Sequence, residues 1–392
     1  MPITKITALV AIIATLVGCS RENTPIDMII TGNTIYQGSS KAPIKGVIGI
    51  DKGKVIFIDE TIPTNFQAKT VIDANDMVIA PGFIDPHTHA CNDFTDEAIP
   101  NLNANYTTQG VSTVFCNVDG GGDVNVENTF NQYEQQGIGT NVALYIGHGS
   151  VRKAVMGRSN RPPTDIELAQ MKNLIEKAMQ AGALGLSTGL YYVPGNYATT
   201  AEVIELAKVA AQYNGVYDSH IRDESSYSIG LLAAIEEVIT IGEKADLPVH
   251  VAHIKSLGVD VWGESKQVIE LIENARDRGI DVTADQYPWR ASGTSVAGSL
   301  MPREILAGDK SEYLARVKDE AQWPELKAAM QENLRRRGGA DSLLISDPTL
   351  AKLRGKTLAE IATMWELSPI DAARKIIISG NARVASFSMS EP

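Results

Sequence analysis

The chain has 392 residues, 44% apolar and 21% charged, a balance that suits a folded protein with a sizeable core and argues against a disordered or fibrous one. Its 35 basic and 47 acidic residues give a formal charge of -12, with no Lys/Arg run or aromatic-basic stripe able to neutralise phosphates, so nucleic acid is not an expected partner. One large domain with a small companion fits this length.

In chain order, residues 1–19 stand apart. Lys5 precedes an unbroken apolar run from Ile6 to Gly18, too short to span a bilayer and suited to a signal-peptide core. The run ends in Leu16-Val17-Gly18-Cys19, which resembles the lipobox of bacterial lipoproteins, where the Cys is acylated and becomes the mature N-terminus. Ser20 behind it, in place of Asp, implies an outer-membrane lipoprotein with its body in the periplasm; the alternative is a plain secretory signal with an incidental Cys. Only Cys91 and Cys116 remain beyond Cys19, so no disulfide framework is expected to hold the fold.

Residues 20–79 hold short β-rich pieces, Met28-Ile29-Ile30, Val47-Ile48-Gly49-Ile50 and Lys54 to Ile58, separated by turns such as Asp51-Lys52-Gly53, and predict a small β-domain, read as a β-sandwich. Over residues 80–300 apolar runs of strand length alternate with helical stretches, the pattern of β/α units. Seven strands are expected: Val78–Ile84, Val111–Asn117, Asn141–Ile146, Ala183–Ser187, Gly215–Ser219, Pro248–Ala252 and Ile280–Ala284. Thr164 with Glu167 and Thr199 with Glu202 read as capping boxes opening two of the helices. No Gly-rich phosphate turn follows the first strand, which favours a TIM-type (β/α)8 barrel over a doubly wound sheet. Residues 301–392 read as a helical insertion after the seventh strand, with Arg335-Arg336-Arg337-Gly338-Gly339 as a turn.

Four of the six histidines fall at strand ends, where β/α barrels carry their active sites. His87 and His89 follow the first strand two residues apart, hence on one face; His220 ends the fifth strand and His253 the sixth. Together they form a constellation suited to zinc. His250, three residues from His253, should face the other side of its strand and pack under a helix, and His148 in Gly147-His148-Gly149 reads as supporting, substrate-facing or structural.

Ala80-Pro81-Gly82-Phe83-Ile84-Asp85-Pro86-His87-Thr88-His89 is similar to the first-strand signature of the amidohydrolase superfamily. Gly182 to Tyr192, Ser219 to Glu224, His253-Ile254-Lys255 and Ala284 to Pro288 resemble its D-aminoacylase branch, in order along the chain from about residue 27. The resemblance implies an amidohydrolase barrel holding one or two zinc ions, which polarise the scissile amide and activate water. It also implies hydrolysis of N-acyl-D-amino acids, with Lys255 and Tyr287 receiving the substrate carboxylate.

Two departures stand out. The branch often has a Cys ligand at the end of the second strand; here that place falls on Asp119, either a metal ligand or a turn residue of Asp119-Gly120-Gly121-Gly122, while Cys116 should face away. The eighth strand and its general-base Asp find no match after Tyr287, so the catalytic base is unassigned and the chain reads as truncated before strand eight; Asp347 and Asp371 end no apolar strand. Alternative functions are a metallo-dipeptidase releasing a C-terminal D-residue and an inactive lipoprotein.

Overall fold

The computed structural model describes residues 23–94 and 102–390; the leader with Cys19 and the final Glu391 and Pro392 lie outside the described residues. The chain divides into two compact units, one up to Gly82 and one from Phe83 onward.

In the first unit β1 (Thr24–Ile35) runs antiparallel to β2 (Ile44–Asp51) and parallel to β4 (Phe66–Asp73), with β3 (Lys54–Asp59) outside β2 and β5 (Val78–Ile79) beside β1. The β2–β3 hairpin closes tightly because Lys52 and Gly53 both take positive φ, 49° and 72°, the backbone twist that two-residue hairpin turns demand. Ile26, Ile29 and Val47 form its small buried cluster, flanked by Phe57 and Phe66. The expected sandwich is, among the described residues, one five-stranded sheet, because all five strands share hydrogen bonds with β1 or β2 and none is left to build a second layer.

The second unit carries the parallel strands β6 (Phe83–Asp85), β7 (Val111–Cys116), β8 (Asn141–Leu144), β9 (Ile146–Gly147), β10 (Gly185–Gly189), β11 (Val216–His220), β12 (Val249–Val251) and β13 (Val282–Ala284). Their order is sequential, β6-β7-β8 and then β9 through β13, and β8 and β9 are two halves of one strand around Tyr145. Helices such as Asp165–Gln180, Thr200–Ala211 and Leu231–Ala245 connect them, as a (β/α) barrel requires. Side chains including Leu144, Ile146, Met171, Ile175, Leu186, Leu206, Tyr217 and Ile235 are wholly buried between strands and helices. Among the described residues β13 and β6 do not pair, so the run stays open there, with Phe83 and Ile84 62% and 60% exposed.

Two local expectations change. The apolar stretch Val78–Ile84 is two strands: β5 joins β1 and β6 joins β7, because the intervening Pro81 has no N–H to donate to a ladder. Thr164 and Glu167 form a true capping box, but Thr199 alone caps its helix by accepting from the Glu202 N–H. The Glu202 carboxylate turns inward instead, to the buried Arg152 and to His148 Nε2 at 3.1 Å. That ion pair settles His148 as a structural residue.

Residues beyond the seventh strand are more than a helical insertion. Helices Lys310–Lys318, Trp323–Arg336, Leu358–Trp365 and Pro369–Ile378 pack on an antiparallel sheet of β14 (Ser292–Ser295), β16 (Arg383–Ser386) and β15 (Leu343–Ile345). Leu300, Met330, Ile345, Ile361 and Ile377 fill a second apolar core between them. Asp347 and Asp371 are spent within this layer, on Thr349 and on Lys327 and Ser368. The Val259 N–H donates to Arg336 O and the Gly258 N–H to Ser388 O, which fastens this layer to the loop after β12. No helix among the described residues is long and apolar enough to cross a membrane.

Candidate metal centre

The C-terminal ends of the parallel strands converge on Asp119, in the loop leaving β7. His87 Nε2 lies 3.2 Å from its Oδ1 and His89 Nε2 3.3 Å from its Oδ2; His220 Nδ1 and His253 Nε2 lie 3.5 and 3.6 Å from Oδ1. All five residues proposed from the sequence therefore meet at one carboxylate, and Asp119 is no simple turn residue. Two sets of donor atoms are close enough to share an ion, His87 with Asp119 and His253, and His220 with Glu224 and His253. His89 is the loosest member, its side chain 63% exposed.

Glycines hold the Asp119 loop in place. A Cβ on Gly147 would fall 2.0 Å from Gly121 O, and one on Gly189 2.3 Å from Asp119 O, so the ends of β9 and β10 approach the loop as only bare backbone can. The Gly120 N–H donates to Ser187 Oγ at 3.2 Å, and Gly120 O accepts from the Ser150 N–H at 3.0 Å. The expectation of no disulfide support is also corrected: Cys116, at the end of β7, is bonded to Cys91, just after the His87–His89 segment. Sequence spacing alone could not pair two cysteines that the fold brings to a Cα separation of 6.0 Å.

A second layer of carboxylates fixes the histidines. Buried Asp218 accepts from His87 Nδ1, both oxygens at 3.1 Å, which leaves Nε2 directed at Asp119. Asp285 accepts the His253 backbone N–H and lies 2.8 Å from His250 Nε2. His250 thus braces the site through Asp285, where a place under a helix was expected. Its other ring nitrogen, Nδ1, lies 2.8 Å from Thr283 Oγ1, its register partner on the neighbouring strand β13.

Electrostatically the centre is built for a cation. Burial pushes Asp119 toward protonation, yet the surrounding imidazoles hold its carboxyl well below the usual range. Burial likewise works against charge on His87, but Asp218 and Asp119 raise its pKa to about 10. At His220 burial prevails and lowers the pKa, favouring the neutral, metal-ligating form. His87 Nε2 and Asp119 Oδ1, which face each other, and His220 Nε2, which faces Glu224 at 3.7 Å, are buried without a hydrogen bond. A divalent ion fits this donor set.

The centre opens into a cavity of about 630 Å³ lined also by Tyr191, Tyr192, Glu224, Lys255, Tyr287 and Arg337. Lys255 and Tyr287 stand there as expected, Nζ 5.4 Å from the Tyr287 ring centre, but Lys255 is closely ion-paired to Glu224 and lies 2.8 Å from His253 Nδ1. Sequence reading missed Asp218, Glu224, Asp285 and Arg337. Strand parity could have found Asp218, two residues before His220 on β11; nothing local marks Arg337.

No protein-family model matches the chain. The D-aminoacylase of Alcaligenes xylosoxydans xylosoxydans is 34% identical over 316 residues, covering 73% of this chain and 62% of that protein. The N-acyl-D-glutamate deacylase of the same organism is 27% identical over 377 residues, 91% of this chain and 68% of that one. The chain thus spans about three-fifths of the first of these relatives and two-thirds of the second. Among solved structures, N-acyl-D-glutamate deacylase from Bordetella bronchiseptica, complexed with zinc and a phosphonate inhibitor, aligns with a TM-score of 0.74 at 28% identity over 94% of this chain and 72% of that one. A D-aminoacylase structure aligns with the same TM-score at 26% identity, over 94% and 73%.

Proposed function

Because the chain belongs to the D-aminoacylase family of the amidohydrolase superfamily, we propose that it hydrolyses the amide bond of N-acyl-D-amino acids, releasing a carboxylate and a D-amino acid. The observation that carries this reading is the set of unpartnered donor atoms of His87, His220 and Asp119 at the floor of a cavity that also holds basic and phenolic groups. Zinc, one ion or two, would be held by His87, His89, Asp119, His220 and His253, with Glu224 within reach of the second set. When bound, it supplies Lewis-acid polarisation of the amide carbonyl and lowers the pKa of water.

The chain's own residues hold and orient. Asp218 fixes the His87 tautomer, and Asp285 anchors the His253 backbone. Tyr192 packs its ring 4.6 Å from that of His220 and walls the centre on that side. Lys255 and Tyr287 line the cavity beside the centre and would receive a substrate carboxylate there. Asp119, Glu224 and Asp285 are each engaged by histidines or Lys255, so none of them is assigned as general base.

The test is hydrolysis of N-acetyl-D-methionine, followed by D-amino-acid release, together with zinc content by atomic emission. Zinc-dependent turnover of the D but not the L isomer is expected, and the double substitution His220→Ala with His253→Ala should remove both turnover and zinc. Zinc content unchanged in that variant would sink the ligand assignment; no turnover by the zinc-loaded chain would sink the activity.

We also propose export as a lipoprotein anchored at the outer membrane and facing the periplasm. The apolar run from Ile6 and the Leu16-Val17-Gly18-Cys19 segment support it. Palmitate labelling that survives Cys19→Ala would disprove it.

A further inference from the structure

Three of the four histidines at the metal centre lean on a neighbour. Asp218 stands behind His87, Asp285 accepts the His253 backbone N–H, and the Tyr192 ring packs against His220. His89 has no such brace among the described residues. Its side chain is 63% exposed, and its polar contact is with Asp119, Nε2 to Oδ2 at 3.3 Å. An imidazole so loosely held must lose rotamer freedom each time it takes up an ion, which weakens it as a ligand unless its backbone is fixed.

The segment that delivers His89 is lightly held too. β6 is three residues long and, among the described residues, pairs on one side only, with β7. Past the ladder, the Thr88 N–H donates to Phe115 O at 3.1 Å, a bond of small net worth. Two residues beyond His89, Cys91 is bonded to Cys116 at the end of β7, which ties the His89 segment covalently to the strand that leads to Asp119. Asp119 is already moulded in place by Gly147 and Gly189, so the effect of the tie falls on His89. The bond can also be reached. Cys91 and Cys116 line, with His89 and Asp119, a second cavity of about 440 Å³. Neither cysteine lines the cavity that holds Lys255 and Tyr287, so a thiol can meet the sulfurs without entering the substrate's space.

We propose that the Cys91–Cys116 disulfide is the positioning element of His89, and that its reduction by a dithiol converts the centre to a weaker zinc-binding state without unfolding the protein. A thiolate of the dithiol attacks one sulfur and releases the other cysteine; the second thiol then displaces the remaining cysteine from the mixed disulfide. The dithiol ends as a cyclic disulfide, and its two electrons and two protons end on Cys91 and Cys116. The inference rests on the zinc assignment of the hydrolase reading.

The experiment measures zinc affinity of the full chain by competition with a chromophoric chelator. Three forms are compared: oxidised wild type, wild type reduced with dithiothreitol and freed of it by gel filtration without oxygen, and Cys91→Ser with Cys116→Ser. Each is repeated with His89→Ala. Reduction and the double substitution are both expected to weaken zinc by about 10- to 100-fold, and reoxidation to restore the wild type. With His89→Ala present, loss of the bond should change affinity by less than about 2-fold, because the ligand it positions is gone. Affinity within about 2-fold of oxidised wild type in the reduced or the serine form overturns the proposal. So does an undiminished loss in the His89→Ala background, which would make the bond a general staple of the fold. Should the serine variant fail to fold by circular dichroism, the reduced wild type decides in both backgrounds. Oxidised wild type that binds no zinc sinks the metal assignment and this proposal together, whereas zinc binding indifferent to the bond sinks the proposal alone.

Discussion

Replacing Asp218 with Asn tests whether the metal centre depends on a residue that never touches the ion. Asp218 is fully buried and directs both oxygens at His87 Nδ1, each at 3.1 Å. Asn occupies the same space, and its carbonyl can still accept the Nδ1 proton, so the ring keeps its place. The negative charge behind the imidazole is lost, and with it the added basicity of Nε2. Partners of this kind contribute about 10- to 100-fold to metal affinity, which is about 1.4–2.7 kcal/mol. Competition for zinc against a chromophoric chelator at fixed pH measures the loss directly, and a melting curve of the metal-free protein checks that the fold survives. Zinc affinity within about twofold of wild type would refute the reasoning, since packing alone would then be holding His87.

Two further outcomes follow from the packing. Glu202→Gln should cost about 3–5 kcal/mol in urea unfolding, because it leaves Arg152 buried without its counter-ion. Burial opposes ionisation of Glu202, but His148 and Arg152 hold its pKa below the ordinary 4.5. Its stabilisation is therefore present above about pH 4.5, lost as pH falls through the lower folded value, and absent at every pH in the Gln variant. Cys91→Ser with Cys116→Ser removes a link across 25 residues and should lower stability by about 3 kcal/mol, read as a shift in the urea midpoint. Unchanged midpoints would show the bond to be idle.

The parts of the site legible in the sequence are those that local periodicity controls. His87, His89, His220 and His253 could be placed because strand ends and alternation fix both position and direction. Asp119 was half legible. It stands at positive φ, 57°, in a glycine-rich loop, where alternation no longer says which way a side chain points. Glu202 looked like a capping residue because cap chemistry is local, but a buried arginine from another helix competed for its carboxylate and won. The break inside Val78–Ile84 falls at Pro81 and was open to a local reading, but which sheet each half joins is a tertiary choice. Arg337 lay furthest from reach, since its turn-like triplet of arginines gives no sign that only the last one enters the cavity.

The contacts of Gly147 and Gly189 with the Asp119 loop carry a consequence for how this centre tolerates change. The second-strand ligand is held by surfaces from which side chains are missing, so its position is specified by what two other strands leave out. Alanine at either glycine would put a methyl group within 2.3 Å of a loop carbonyl and displace the carboxylate that all four imidazoles approach. A change of ligand chemistry at position 119 keeps that mould intact, whereas a single added carbon at 147 or 189 destroys it. Two positions that could never bind a metal themselves are thus closed to substitution by the centre they surround.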